Sequence, residues 1–256
     1  GSLQKQKDHR FFKRSKQALK IAQDIIQEFR DTRYEHWQEV SKDSKFSLFK
    51  NSKLNNFIAS CTTEGAFAHE VAYEFWNVDP KSKLEWDTSI EKCTVLETVT
   101  ASCSILHLVT KTIWPLKARD LVMCSEYLRL AHGTYAVCNY SLEDYNSKLV
   151  PKDDSCLRAT SSVVLIVEQH LKNANGNMDR NNIVSEIYYQ ANIDPGGWVP
   201  VNLVNALSRK EWKATLLSLC KNVHRQIALE KKRALENERE DNDLFFDSQE
   251  QSVISF

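Results

Sequence analysis

Apolar residues recur at three-to-four spacing near both ends of this chain and at alternate positions through most of the middle. Leu19, Ala22, Ile25, Ile26 and Phe29 mark one face of a helix predicted over Asp8–Arg30, with Phe12 two turns earlier on the same face. Short strands are predicted at Trp37–Val40, Phe46–Phe49 and Phe57–Cys61. A second helix is predicted over Phe67–Trp76, with Pro80 beyond it. From Lys92 the pattern turns to long strands: Cys93–Val99, Ser102–Lys111, Asp120–Leu130, Tyr135–Leu142, Cys156–Gln169 and Asn182–Asn192. Turn residues separate several of them (Gly133, Pro151 with Asp153 and Asp154, and Asn173–Asn177 around Gly176), and the spacings favour antiparallel neighbours. In the last strand Ile183, Ser185, Ile187, Tyr189 and Ala191 share one face, while Glu186, Tyr188 and Gln190 share the other. Pro200 then opens a helix carrying Leu207, Trp212, Leu216, Leu219, Val223 and Ile227 on one side. The layout is α+β: a curved antiparallel sheet, with a long C-terminal helix placed to close its concave face over a cavity.

Past Leu229 the helical face becomes charged, and by Asp241 the chain reads as an acidic tail. The expected division is a folded domain over 3–230 and a tail over 231–256. Among 256 residues, Lys plus Arg (34) equals Asp plus Glu (34), so the chain lacks the basic excess of most nucleic-acid binders. The basic run Lys5–Lys16 reads as a solvated helix face. The seven cysteines are scattered with no CxxC pair, which predicts free thiols in a reducing compartment and neither a disulfide frame nor a zinc site. No apolar run is long enough to span a bilayer and no signal peptide is visible. Gly1-Ser2 reads as a cloning remnant, so the chain is expected to be a piece of a longer protein.

Two loops carry an indole beside proline or glycine: Trp114–Pro115, and Trp198 in Ile193–Pro200 (IDPGGWVP). A tight turn gives an indole little core to enter, whereas a membrane–water interface accommodates it well. Trp114, Pro115 and Trp198 are therefore expected to dock the protein on a membrane surface without spanning it.

Five ordered blocks resemble the START domain family: His69–Asp79, Glu85–Thr98, Thr112–Asp120, Ala136–Ser141 and Ile187–Pro200. The resemblance covers about Phe67 to Trp212 and looks strongest toward the ceramide-binding members. It implies a helix-grip fold around a lipid tunnel, a carrier that shields one lipid, and no covalent chemistry or cofactor. A lipid leaving its bilayer exposes chains worth about 0.8 kcal/mol per CH₂, so the cavity must replace that burial. The residues that the resemblance assigns to the head group fall on Asp87, Asn139 and Tyr189. An expected Gln falls on Leu108, so His107 beside it is expected as the fourth head-group residue, and an expected Arg falls on Lys83; the Leu108 departure leaves diacylglycerol, a sterol or a phospholipid as rival ligands. A sensor without net transfer is a second rival. An enzyme on the same architecture is a third, with His107 near Asp87 as its acid–base candidate.

In the tail, Leu244–Glu250 (LFFDSQE) resembles an FFAT motif, whose partner is a VAP protein of the endoplasmic reticulum. Phe245, Phe246, Asp247 and Glu250 match; Leu244 and Ser248 depart. The resemblance places the protein in the cytoplasm as a monomer, peripheral at endoplasmic reticulum and Golgi membranes. His69-Glu70 lacks the second His of HExxH, and Asn139-Tyr140-Ser141 is a sequon inside a strand, so neither carries chemistry.

Overall fold

The computed structural model describes residues 10–52, 57–112, 116–142, 150, 155–174 and 176–253; side chains at 33–34, 201–202, 204–205, 207–208 and 238–253 are not described. Helix α1 (Phe12–His36) leads into three strands, β1 (Trp37–Lys42), β2 (Phe46–Asn51) and β3 (Phe57–Glu64). Two short helices follow, α2 (Ala68–Trp76) and α3 (Pro80–Trp86). The remaining strands are β4 (Ile90–Thr100), β5 (Cys103–Thr110), β6 (Ala118–Arg129), β7 (Thr134–Ser141), β8 (Cys156–Arg158), β9 (Thr160–Leu171) and β10 (Ile183–Asp194). Helix α4 (Val201–Val253) is the last element among the described residues.

The ten strands among the described residues join one curved sheet: nine run in the antiparallel order β1-β2-β3-β10-β9-β7-β6-β5-β4, and β8 pairs in parallel with β6. Apolar side chains are buried on both faces of the sheet. On its concave face, α2 and α4 bury Val71, Phe75, Trp212, Leu216, Leu219 and Val223 against Leu48, Val137, Leu165, Ile187 and Tyr189. On its convex face, α1 buries Leu19, Ala22, Ile26 and Phe29 against Phe49, Ile58, Val164, Ile166 and Tyr188. Alternation along β10 thus sends Tyr189 to one core and Tyr188 to the other.

Two local readings of the sequence change. Pro80 does not merely follow a helix; it begins α3, at the first-turn position where its missing N–H leaves no gap. Asp79 caps that helix by accepting the Ser82 amide at 2.8 Å. The run Cys156–Gln169 is broken at Ala159, whose N–H bonds the Asp120 carbonyl at 3.0 Å, so β8 and β9 pair with different neighbours. The charged stretch after Leu229 continues α4 without interruption, and from Ala228 to Asn237 it is exposed on all sides.

Candidate lipid cavity

Between α3, α4 and the concave face of β4–β10 lies a cavity of about 280 Å³. Ile90, Leu108, Leu121, Met123, Val163 and Trp212 give it apolar walls. A larger cleft of about 660 Å³ lies between α2, α3 and α4, but Glu70, Glu74, Asp79, Glu85, Arg225 and Arg233 line it. Acyl chains gain nothing among such charges, so the smaller, apolar space is the lipid candidate.

Asp87, Asn139 and Tyr189 all reach that cavity, from the end of α3, from β7 and from β10. Ser89 donates its hydroxyl (2.6 Å) and its amide (3.2 Å) to the same Asp87 oxygen, Oδ1. Tyr189 packs edge-on to Phe75 and Trp212, and burial, with the Asp87 charge adding, holds its phenol above the ordinary value. The hydroxyl is therefore protonated and able to donate. Asn139 Oδ1 is buried with no hydrogen-bond partner among the described residues.

Lys83 also lines the cavity, although it is almost wholly removed from bulk water. Its Nζ donates to the Phe75 carbonyl at 2.7 Å and sits 4.9 Å and 4.8 Å from the Phe75 and Trp86 ring centres. Burial pulls its pKa below the ordinary lysine value; Asp87, acting at a distance, works against that shift. Lys83 and Asp87 are thus two buried groups, each with its own hydrogen-bond partner.

His107 is a correction. Leu108 faces the cavity, so strand alternation sends His107 to the other side of β5, where Nε2 lies 3.1 Å from Asp120 Oδ2. Arg158 grips the same carboxylate at 2.7–3.0 Å. The Asp120 carboxylate thus pairs with Arg158 and shares a hydrogen bond with the His107 ring. Arg119 instead donates to the Pro195 and Lys117 carbonyls at 3.0 Å and 2.5 Å and ties the β10–α4 loop to β6. The acid–base pair proposed from His107 and Asp87 does not assemble.

In that loop Gly196 and Gly197 both have positive φ (65° and 67°), and a Cβ on Gly196 would stand 2.6 Å from the Arg158 carbonyl oxygen. Only glycine fits this turn. The turn presents Trp198 with 89% of its surface exposed. Trp114 and Pro115 lie outside the described residues, as do the side chains of Phe245, Phe246, Asp247 and Glu250.

Helix α4 is strapped over the cavity from several sides. Ser218 donates to the Trp86 carbonyl (2.6 Å), Asn222 to Glu74 (2.6 Å), and Lys213 and Arg225 pair with Asp43 (2.8 Å) and Glu85 (2.5 Å). Two polar features were not found by sequence reasoning. Lys83 was read only as a departure, and Ser161, which lines the cavity with an unpaired Oγ, was not singled out. Its place in the alternation Ser161, Val163, Leu165 was the available signal. On the outer face Glu168, His170 and Glu186 bring ligand-type atoms within 4.8 Å, but Arg30 already pairs with Glu168 at 2.7 Å, and the group is remote from the cavity. No helix among the described residues is long and apolar enough to cross a membrane.

An apolar cavity with a few inward polar groups, roofed by one amphipathic helix, defines a binding protein for a single amphipathic molecule. The START domain family model matches residues 22–223, and the chain belongs to that family of lipid-binding and lipid-transfer domains. The chain is 30% identical over 207 residues to the ceramide transfer protein of Homo sapiens, and 28% to that of Xenopus tropicalis. These alignments cover 75% of this chain, which spans about a third of the length of those relatives (32% and 33%). Among solved structures, human StAR-related lipid transfer protein 5 superposes with a TM-score of 0.60 at 15% identity, covering 82% of this chain and 98% of that one. Human STARD10 gives 0.58 at 18% identity, covering 82% and 84%. Both share the helix-grip fold.

Proposed function

We propose that this chain is the lipid-carrying domain of a ceramide transporter, taking one ceramide at a time between membranes. The observation that supports it best is the sign of the hydrogen-bonding groups in the cavity. Asn139 Oδ1 is a buried acceptor without a partner among the described residues, and Ser89 occupies only Oδ1 of the Asp87 carboxylate, so a ligand with two N–H or O–H donors suits the cavity better than one with a single donor. Ceramide has an amide N–H and two hydroxyls. Diacylglycerol and sterols bring a single hydroxyl, and phosphatidylcholine brings none. A two-chain lipid is larger than a 280 Å³ space, so loading requires α4 and the loops beside it to move, as in lid-gated sites generally. Docking through Trp198, with Trp114 and Pro115, would bring that opening to the bilayer.

The test is native mass spectrometry after incubation with mixed liposomes, paired with ceramide transfer between vesicles. The reading expects one ceramide per protein and transfer reduced at least tenfold by Asp87→Leu. Recovery of a single-hydroxyl lipid in place of ceramide would overturn the ligand while leaving the carrier. Binding without vesicle-to-vesicle transfer would make the domain a sensor.

The tail supports an address for this traffic. Phe245 and Phe246 in an acidic stretch would place the carrier on the endoplasmic reticulum through a VAP protein, with the Golgi as the second membrane, the acidic flank steering it to a basic groove. Replacing both phenylalanines by alanine should abolish VAP capture; undiminished capture would exclude the motif.

A further inference from the structure

Ser161 stands on β9 next to Asn139 of β7. Asn139 pairs with Val163, and Tyr140 with Ser162, so Ser161 is the diagonal neighbour of Asn139 on the concave face. Diagonal positions lie roughly 7–8 Å apart, too far for the two side chains to bond each other directly. Both line the cavity, and both Ser161 Oγ and Asn139 Oδ1 are buried with no partner among the described residues. Ser161 is only 9% exposed. Its hydroxyl is not needed locally, because the contact to the next strand is made by its amide, which donates to Ser141 Oγ at 2.8 Å. Farther along β9 the same face carries Val163, Leu165 and Val167, all packed in the concave core. A hydroxyl kept at the first position of such a row, and left unpaired, is destabilising unless something else satisfies it.

We infer that Ser161 and Asn139 form a hydroxyl-binding centre in the cavity wall, separate from the charged centre of Lys83 and Asp87 on α3. One ligand hydroxyl satisfies both side chains: it donates to Asn139 Oδ1, which can only accept, and accepts from the Ser161 O–H. The inference rests on the lipid-carrier reading and gives it a selectivity rule: Ser161 counts a head-group hydroxyl, while Lys83 and Asp87 hold the remaining polar atoms.

The test pairs variants with ligand analogues. Wild type, Ser161→Ala and Ser161→Thr are loaded with ceramide, with an analogue lacking the primary hydroxyl and with one lacking the secondary hydroxyl. Ser161→Ala should weaken ceramide about five- to tenfold, the effect of one buried hydrogen bond. It should leave unchanged the one analogue whose missing hydroxyl is the partner, and Ser161→Thr should restore ceramide binding. An equal loss with every ligand, or no loss with any, overturns the inference. If wild type takes no ceramide, the ceramide reading falls, and the same proteins are compared with diacylglycerol and its methyl ether. A Ser161→Ala loss confined to the free hydroxyl then sustains the centre, and absence of such a difference removes it.

Discussion

Replacing Trp198 by alanine separates membrane docking from folding. At 89% exposure the indole contributes almost nothing to the core, and the Gly196–Gly197 turn that displays it is untouched by the change. A Trp side chain offers about 150–250 Å² for burial. If half of that enters the bilayer interface, about 100 Å² at roughly 25 cal/mol per Å² gives about 2.5 kcal/mol. That corresponds to roughly a seventyfold weaker partition onto vesicles. Sedimentation with lipid vesicles at several lipid concentrations measures the partition coefficient, and calorimetry on the same samples measures Tm. The expectation is a fall of about tenfold to a hundredfold in partition, with stability within about 0.5 kcal/mol of the parent. An unchanged partition would refute the docking argument. A lowered Tm would show instead that the indole packs on the protein.

Further expectations concern the roof and the sheet. Leu216 is fully buried between α4 and the concave face, so Leu216→Ala should cost about 2–5 kcal/mol, read as a lower denaturation midpoint. Burial raises the Glu74 carboxyl above its ordinary 4.5, although Ser82 and Asn222 hydrogen-bond to it. A raised carboxyl favours the fold below its unfolded value and loses that contribution as pH rises through the folded one. Glu74→Gln, which keeps an acceptor for Asn222 without the charge, should therefore flatten the fall in stability between pH 4 and 7; a profile as steep as the parent's would refute this. Burial pushes the Asp120 carboxyl up, but the Arg158 fork and His107 outweigh it and hold the group below 3.8. Its contribution is complete above 3.8 and lost as pH falls through the depressed value. Arg158→Met should cost about 2 kcal/mol near neutrality and move acid unfolding to higher pH, as followed by circular dichroism.

Period and punctuation in the sequence determined the elements and their faces. The alternation along Asn182–Asn192 and the three-to-four spacing of Trp212, Leu216, Leu219, Val223 and Ile227 are consequences of strand and helix geometry, which any chain must obey. Asp87, Asn139 and Tyr189 were legible as a group because the ordered blocks of the START family carry them. Which neighbours those faces would meet was decided only in three dimensions. His107 and Leu108 are adjacent in sequence, and nothing local says which of them enters the cavity; the pairing of β5 between β4 and β6 does. Ser161 is an unremarkable strand serine until β7 and β9 set it beside Asn139 over an apolar space. Lys83 is legible in sequence only as a departure from an expected Arg, yet it is buried, with its Nζ against the rings of Phe75 and Trp86. Local pattern is set by backbone geometry within a few residues, whereas burial and the pairing of polar atoms depend on partners from distant strands and helices. The sequence by itself therefore determined the sheet, its covering helices and three of the polar cavity residues, and the tertiary structure decided that Lys83 and Ser161 join them while His107 does not.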